Sequence, residues 1–171
     1  MRLALFVSIA IIASPFAASA QEAPRSSPQI DYPGFLDLTS EVAKLRSERL
    51  LGRDDFFTRA QADGALLLDT RSAAAFEMGH IEGAVNLPFS DFTEEKLRAV
   101  IGDDTDRPIF IYCNNNFSDD VVPIRLKSAP LALNIPTFIN LVGYGYSNVW
   151  ELGDTIPIAE ANWVSTLQIE P

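Results

Sequence analysis

Only one cysteine, Cys113, and one histidine, His80, occur in the 171 residues. A lone cysteine cannot close an internal disulfide, and one cysteine with one histidine cannot supply the ligand set of a zinc or iron site. No metal and no cofactor are therefore expected. Basic residues are also few, 13 Lys and Arg against 23 Asp and Glu, for a formal charge of −10, and they form no cluster. That balance makes nucleic acid and anionic membrane surfaces poor partners. Long apolar runs are missing too. The longest, residues 3–13, is interrupted only by Ser8 and falls short of the roughly 18 residues of a membrane-spanning helix. No internal repeat, heptad pattern or low-complexity tract is present.

What is there begins with an export pattern. Arg2 gives a positive start, residues 3–13 an apolar core, and Ala18, Ser19 and Ala20 a small-residue cleavage site, so residues 1–20 read as a signal peptide cleaved after Ala20 and the protein as exported to the periplasm. Gln21, where a lipoprotein has cysteine, argues against a lipid anchor. Residues 21–37, rich in Pro and Ser, read as a flexible leader. The single domain is expected over residues 38–160, with a tail at 161–171.

Within the domain, helical patterns start near Leu38 and Asp54. Residues 65–69 (A-L-L-L-D) form a short apolar run suited to a strand buried on both faces. Ser72 is placed to cap a short helix ending at Gly79, and Thr93 to cap another. Strands are expected at 84–87, 109–112 and 148–152, and a helix at 137–144. Strands alternating with short helices define an α/β fold with a mostly parallel central sheet and helices on both faces. Ligands of such sheets bind beyond the carboxyl ends of the strands, where both Asp69 and Cys113 fall, so one crevice is expected to hold both. Cys113 follows the strand Ile109, Phe110, Ile111, Tyr112 and precedes Asn114, Asn115 and Asn116. Position alone leaves two readings open: an activated nucleophile, or a buried thiol serving as a small hydrophobe.

The stretch D-T-R-S-A-A-A-F-E-M-G-H-I-E-G-A-V-N-L-P at residues 69–88 resembles the signature of rhodanese-like domains: D-x-R, an aromatic, then G-H-I-x-G-A-x-N-x-P. The segments P-I-F-I-Y-C at 108–113 and G-Y-S-N-V-W-E-L at 145–152 are similar to that family's strand before the active-site cysteine and to its final strand. The C-N-N-N-F loop, followed by A-L-N-I-P-T and Y-G-Y-S-N-V, resembles an exported, single-domain subgroup. The resemblance implies a rhodanese-like fold and sulfur transfer, with a small sulfur donor or thiol acceptor as partner. Cys113 would take sulfur as a persulfide, and the loop amides of Asn114, Asn115, Asn116, Phe117 and Ser118 would cradle the anion. Arg71 would be a further substrate contact.

Departures follow the cysteine. The family's arginine five positions on is here Ser118, with Asp119 and Asp120 next, so the cationic clamp for an anionic donor is missing. The acidic pair would oppose the thiolate. Pro123, Pro130 and Pro136 prevent one regular helix after the cysteine and imply an enlarged loop, in which Arg125 and Lys127 offer substitute charges or simply face solvent. His80 is expected to order a turn, and Asp69 to bind amides or pair with Arg71. The sequon Asn116-Phe117-Ser118 would place a glycan on the loop itself and is discounted. Phosphatase chemistry would require Arg where Asp119 stands. Two functions are thus expected from sequence: a sulfurtransferase or persulfide carrier, and, as the alternative, a catalytically degenerate module for binding or thiol redox sensing.

Overall fold

The computed structural model describes residues 29–165. The expected export signal, most of the leader, and residues 166–171 lie outside them. The chain divides after Asp31, and the fold described is that of the unit beginning at Tyr32.

Three apolar runs make the centre: β2 (Leu66–Asp69), β5 (Ile109–Tyr112) and β6 (Val149–Leu152). Together with β1 (Leu50–Leu51) and β4 (Val85–Asn86) they form a five-stranded sheet in the order β1-β6-β5-β2-β4, every pair parallel. Alternation along each strand splits the core in two. Leu66, Leu68, Ile109, Ile111 and Val149 face one cluster, which is completed by Val42, Leu97, Phe138 and Leu141. Leu67, Phe110, Tyr112 and Leu152 face the other, with Phe56, Ile81, Phe117 and Ile124. The first cluster is covered by α1 (Tyr32–Ser47), α4 (Glu94–Ile101) and α5 (Asn134–Gly143), the second by α2 (Arg53–Ala60). The mostly parallel sheet with helices on both faces is therefore as expected from the sequence.

Local signals act where they stand. The Ser72 hydroxyl accepts from the Ala75 amide at the start of α3 (Ala73–Met78), and the Thr93 hydroxyl from the Lys96 amide at the start of α4. Two boundaries differ. Helix α1 starts at Tyr32, inside the stretch expected to be leader, because Pro33 falls in a first turn whose N–H groups have no helical partner anyway. Likewise β7 (Trp163–Ser165), in the expected tail, pairs antiparallel with β3 (Gly79–Ile81). Gly79 is required there, since a Cβ would lie 2.5 Å from the Trp163 indole nitrogen.

The register sets Asp69 beside Tyr112. The Tyr112 hydroxyl donates to Asp69 Oδ2 (2.6 Å) and accepts from the Ile81 amide (3.1 Å). Arg71 Nη2 donates to Asp69 Oδ2 (2.6 Å) and to the Gly79 carbonyl (2.7 Å). Asn86 Nδ2 donates to the carbonyls of Asp69 and Arg71, and His80 Nδ1 to that of Phe76 (2.8 Å), its ring stacked on Phe76. Burial, then the Asp69 charge, push the Tyr112 hydroxyl well above its ordinary value, so it remains a donor. The D-x-R and G-H-I residues thus form a buried knot tying β2, β3 and β5.

Because Arg71 and Asp69 are both almost fully buried, Arg71→Ala leaves a carboxylate without its cation. A loss of about 3–5 kcal/mol is expected, read as a lower guanidinium midpoint. An unchanged midpoint would mean that the knot does not stabilise the fold.

Candidate active site

Cys113 directly follows β5 and is only 1% exposed. Alternation sends its side chain to the face opposite Tyr112 and Asp69, toward α1 and α5. The single crevice expected to hold Asp69 and Cys113 is therefore not formed. Cys113 lies in a recess of about 210 Å³ whose lining also includes Arg46, Asn134 and Glu151, while Arg71, expected to touch substrate, is spent on Asp69 and Gly79 on the other side.

The backbone amides of Asn115, Asn134 and Leu133 act on the sulfur in the direction that favours its thiolate. Two of them open α5, which has Leu133 at its N-cap position and no side-chain cap. The sulfur lies at that uncapped start, and the ten-residue helix presents the positive end of its dipole to it. Burial still dominates: it pushes the thiol above its ordinary value, the three amides pull it down, and the Glu151 charge adds a smaller upward push.

The three asparagines after Cys113 build the loop. Asn114 Nδ2 donates to the Arg125 carbonyl (2.9 Å). Asn115 brackets Lys127, donating to its carbonyl (2.7 Å) and accepting from its amide (3.1 Å). Asn116 Oδ1 accepts from the Cys113 amide (2.8 Å) and from Asn134 Nδ2 (3.0 Å), while its Nδ2 donates to the Leu152 carbonyl (2.7 Å). Asn114 and Asn115 thus staple the enlarged loop 118–133 to the cysteine turn, and Asn116 ties that turn to β6 and α5. Phe117 packs edge-on against Tyr112 and Trp163. The amides of Phe117 and Ser118 are held by the carbonyls of Asn114 and Ile156. Of the loop residues expected to cradle an anion, Asn115 and Asn116 present their amides to the Cys113 side chain, and the remainder of the cradle comes from α5.

The charges are also redistributed. Asp119 accepts from the Ile158 amide and Asp120 from the Leu126 amide. Neither lines the recess, and nor do Arg125 and Lys127. Among the described residues the charges in its lining are Glu151, 5% exposed, and Arg46 of α1, 38% exposed. Arg46 donates from Nε to Glu151 Oε2 (2.5 Å) and from Nη2 to Oε1 (2.7 Å), while Asn134 Nδ2 donates to Oε1 (3.1 Å). The cation missing from the loop is thus delivered by the first helix of the domain. Arg46, Asn134 and Glu151 did not stand out in the sequence, although one signal was present: a glutamate inside the otherwise apolar strand V-W-E-L must find a cation if the strand is buried.

Among the described residues no group of three or more His, Cys, Asp or Glu side chains could hold a metal ion, and no helix is long and apolar enough to cross a membrane.

A model of the rhodanese-like domain matches residues 54–152, and the chain belongs to the rhodanese-like domain family. It is 35% identical over 79 residues to the uncharacterized protein YqhL of Bacillus subtilis, covering 46% of this chain and 58% of that one. It is 28% identical over 115 residues to the adenylyltransferase and sulfurtransferase uba4 of Sclerotinia sclerotiorum, covering 62% of this chain and 25% of that one. The chain therefore spans less than two thirds of either relative. Among solved structures it resembles the rhodanese-like domain of the Alr3790 protein from Anabaena (TM-score 0.49, 16% identity, 72% of this chain and 83% of that one). It also resembles the BH2092 protein from Bacillus halodurans (TM-score 0.46, 16% identity, 70% and 75%).

Because the folded thiol is raised, alkylation of Cys113 by iodoacetamide is expected to keep accelerating beyond the pH near 8.5 where free cysteine levels off. Glu151→Gln should move the profile to lower pH. A profile that levels off below that of free cysteine would contradict the burial-dominated site.

Proposed function

We propose that this chain is a sulfurtransferase or persulfide carrier acting through Cys113. The observation that carries the reading is the sulfur of Cys113 in a small recess, where the amides of Asn115, Leu133 and Asn134 favour its thiolate. Amides so placed favour the thiolate that must attack and stabilise the persulfide anion that results. The thiolate attacks the outer sulfur of the donor. A new S–S bond forms at Cys113, the donor's own sulfur bond breaks, and its electron pair leaves with the donor remnant. An acceptor thiolate then removes the outer sulfur and the Cys113 thiolate is restored. Membership of the rhodanese-like family supports this chemistry.

We place the protein in the periplasm, as residues 1–20 suggest; its mark would be a mature N-terminus at Gln21.

One observation favours the alternative, a degenerate binding or redox-sensing module: Cys113 is almost fully buried and its thiol is raised. The purified chain, incubated in turn with thiosulfate, mercaptopyruvate and a low-molecular-weight persulfide, should gain one sulfur atom by intact-mass spectrometry, and Cys113→Ser should gain none. Failure of every donor to add sulfur would defeat the carrier reading and leave the alternative.

A further inference from the structure

Beside the recess lies a second cavity of about 400 Å³ between α1 and α5, with Val42, Ala43, Ile135 and Ile139 among its walls. Arg46, Ala129, Ala132 and Glu151 line both cavities, so the groove adjoins the sulfur site through a shared wall. Its volume is within the range that holds small organic ligands.

Charge narrows what could lie there. The groove, like the recess, carries Arg46 and Glu151 as its only charged lining residues among those described. Two of the Arg46 nitrogens are already committed to Glu151, so the lining sums to no net charge. A small dianion such as thiosulfate finds no unpaired cation, whereas an apolar chain finds aliphatic walls. Asn134 points the same way. It is 3% exposed, lines the sulfur recess, and its Oδ1 has no hydrogen-bond partner. A buried acceptor left unmatched favours a ligand that brings a donor, as an S–H group does, over one that brings only oxygen acceptors.

Resting on the sulfur-carrier reading, we propose that the donor is an organic hydropersulfide whose apolar carbon chain lies in the groove between α1 and α5. The step balances: Cys113–S⁻ attacks the terminal sulfur of R–S–SH, the Cys113–S–SH bond forms, the donor S–S bond breaks, and R–S⁻ leaves with the electron pair.

The test is a series of straight-chain alkyl hydropersulfides, methyl to hexyl, released in situ, with Cys113 persulfidation followed by mass spectrometry in the full chain. Each rate is divided by that of free cysteine with the same donor to remove intrinsic reactivity. The normalised rate should rise about two- to fourfold per added methylene until the groove is full, and should exceed the rate with thiosulfate. Ala43→Phe, at an exposed position of α1, should fill the groove and abolish the dependence on chain length. Ile135→Asn, on the opposite wall, should flatten the same dependence. A flat series in the unmodified chain, or a slope retained in Ala43→Phe, overturns the proposal while leaving the sulfur-carrier reading intact. Absence of transfer from every donor removes both.

Discussion

Glu151 places a carboxylate in the middle of β6, almost wholly out of water and beside a cysteine. A buried charge of this kind has to be paired and hydrogen-bonded, or the strand that carries it is destabilised by several kcal/mol. Arg46 supplies the pair, and its geometry fixes the last turn of α1 against the sheet; Asn134 supplies a further bond and fixes the first turn of α5. The two helices that wall the sulfur recess are thus both anchored to one side chain. The groove between them is the space left by that arrangement.

The same constraint explains how a rhodanese-like site is arranged around an altered loop. Where the family's pattern closes the loop with an arginine, the chain here runs on through 118–133; Asn114 and Asn115 fold that longer segment back by side-chain bonds to Arg125 and Lys127, while Asn116 ties the cysteine turn to Leu152 of β6. The positive charge enters from α1 instead. It arrives already paired, so it offsets Glu151 more than it offers a free anion site. The sulfur therefore relies on amides from the cysteine turn and from α5 to offset part of the burial that raises its thiol, and the site is short of unpaired positive charge for a dianion.

Much of this was legible in the sequence wherever a local rule governs. The strands β2, β5 and β6 are short apolar runs because both of their faces are covered, and Ser72 and Thr93 cap the helices they precede. The position of Cys113 at a strand end could be read directly. What could not be read is the set of contacts that cross the fold. No spacing links Arg46, Cys113 and Glu151, which meet only when α1 packs against β6. The Asp69–Arg71 pair was one of two roles open to Asp69, but its separation from Cys113 depends on the one-residue step from Tyr112 to Cys113 that reverses the face. Asp119 and Asp120 looked threatening by proximity in sequence, yet they are drawn off to the amides of Ile158 and Leu126. The opposing carboxylate comes instead from residue 151.

The central claim is that the Arg46–Glu151 pair, and not a residue of the loop, governs charge at the sulfur. A double-mutant cycle on the Cys113 thiol pKa tests this most directly. Arg46→Ala alone should raise it, because Glu151 is left uncompensated, and the change should largely vanish when Glu151→Gln is added, giving strong non-additivity. Additive effects, or a shift of equal size from Arg125→Ala or Lys127→Ala, would contradict the account.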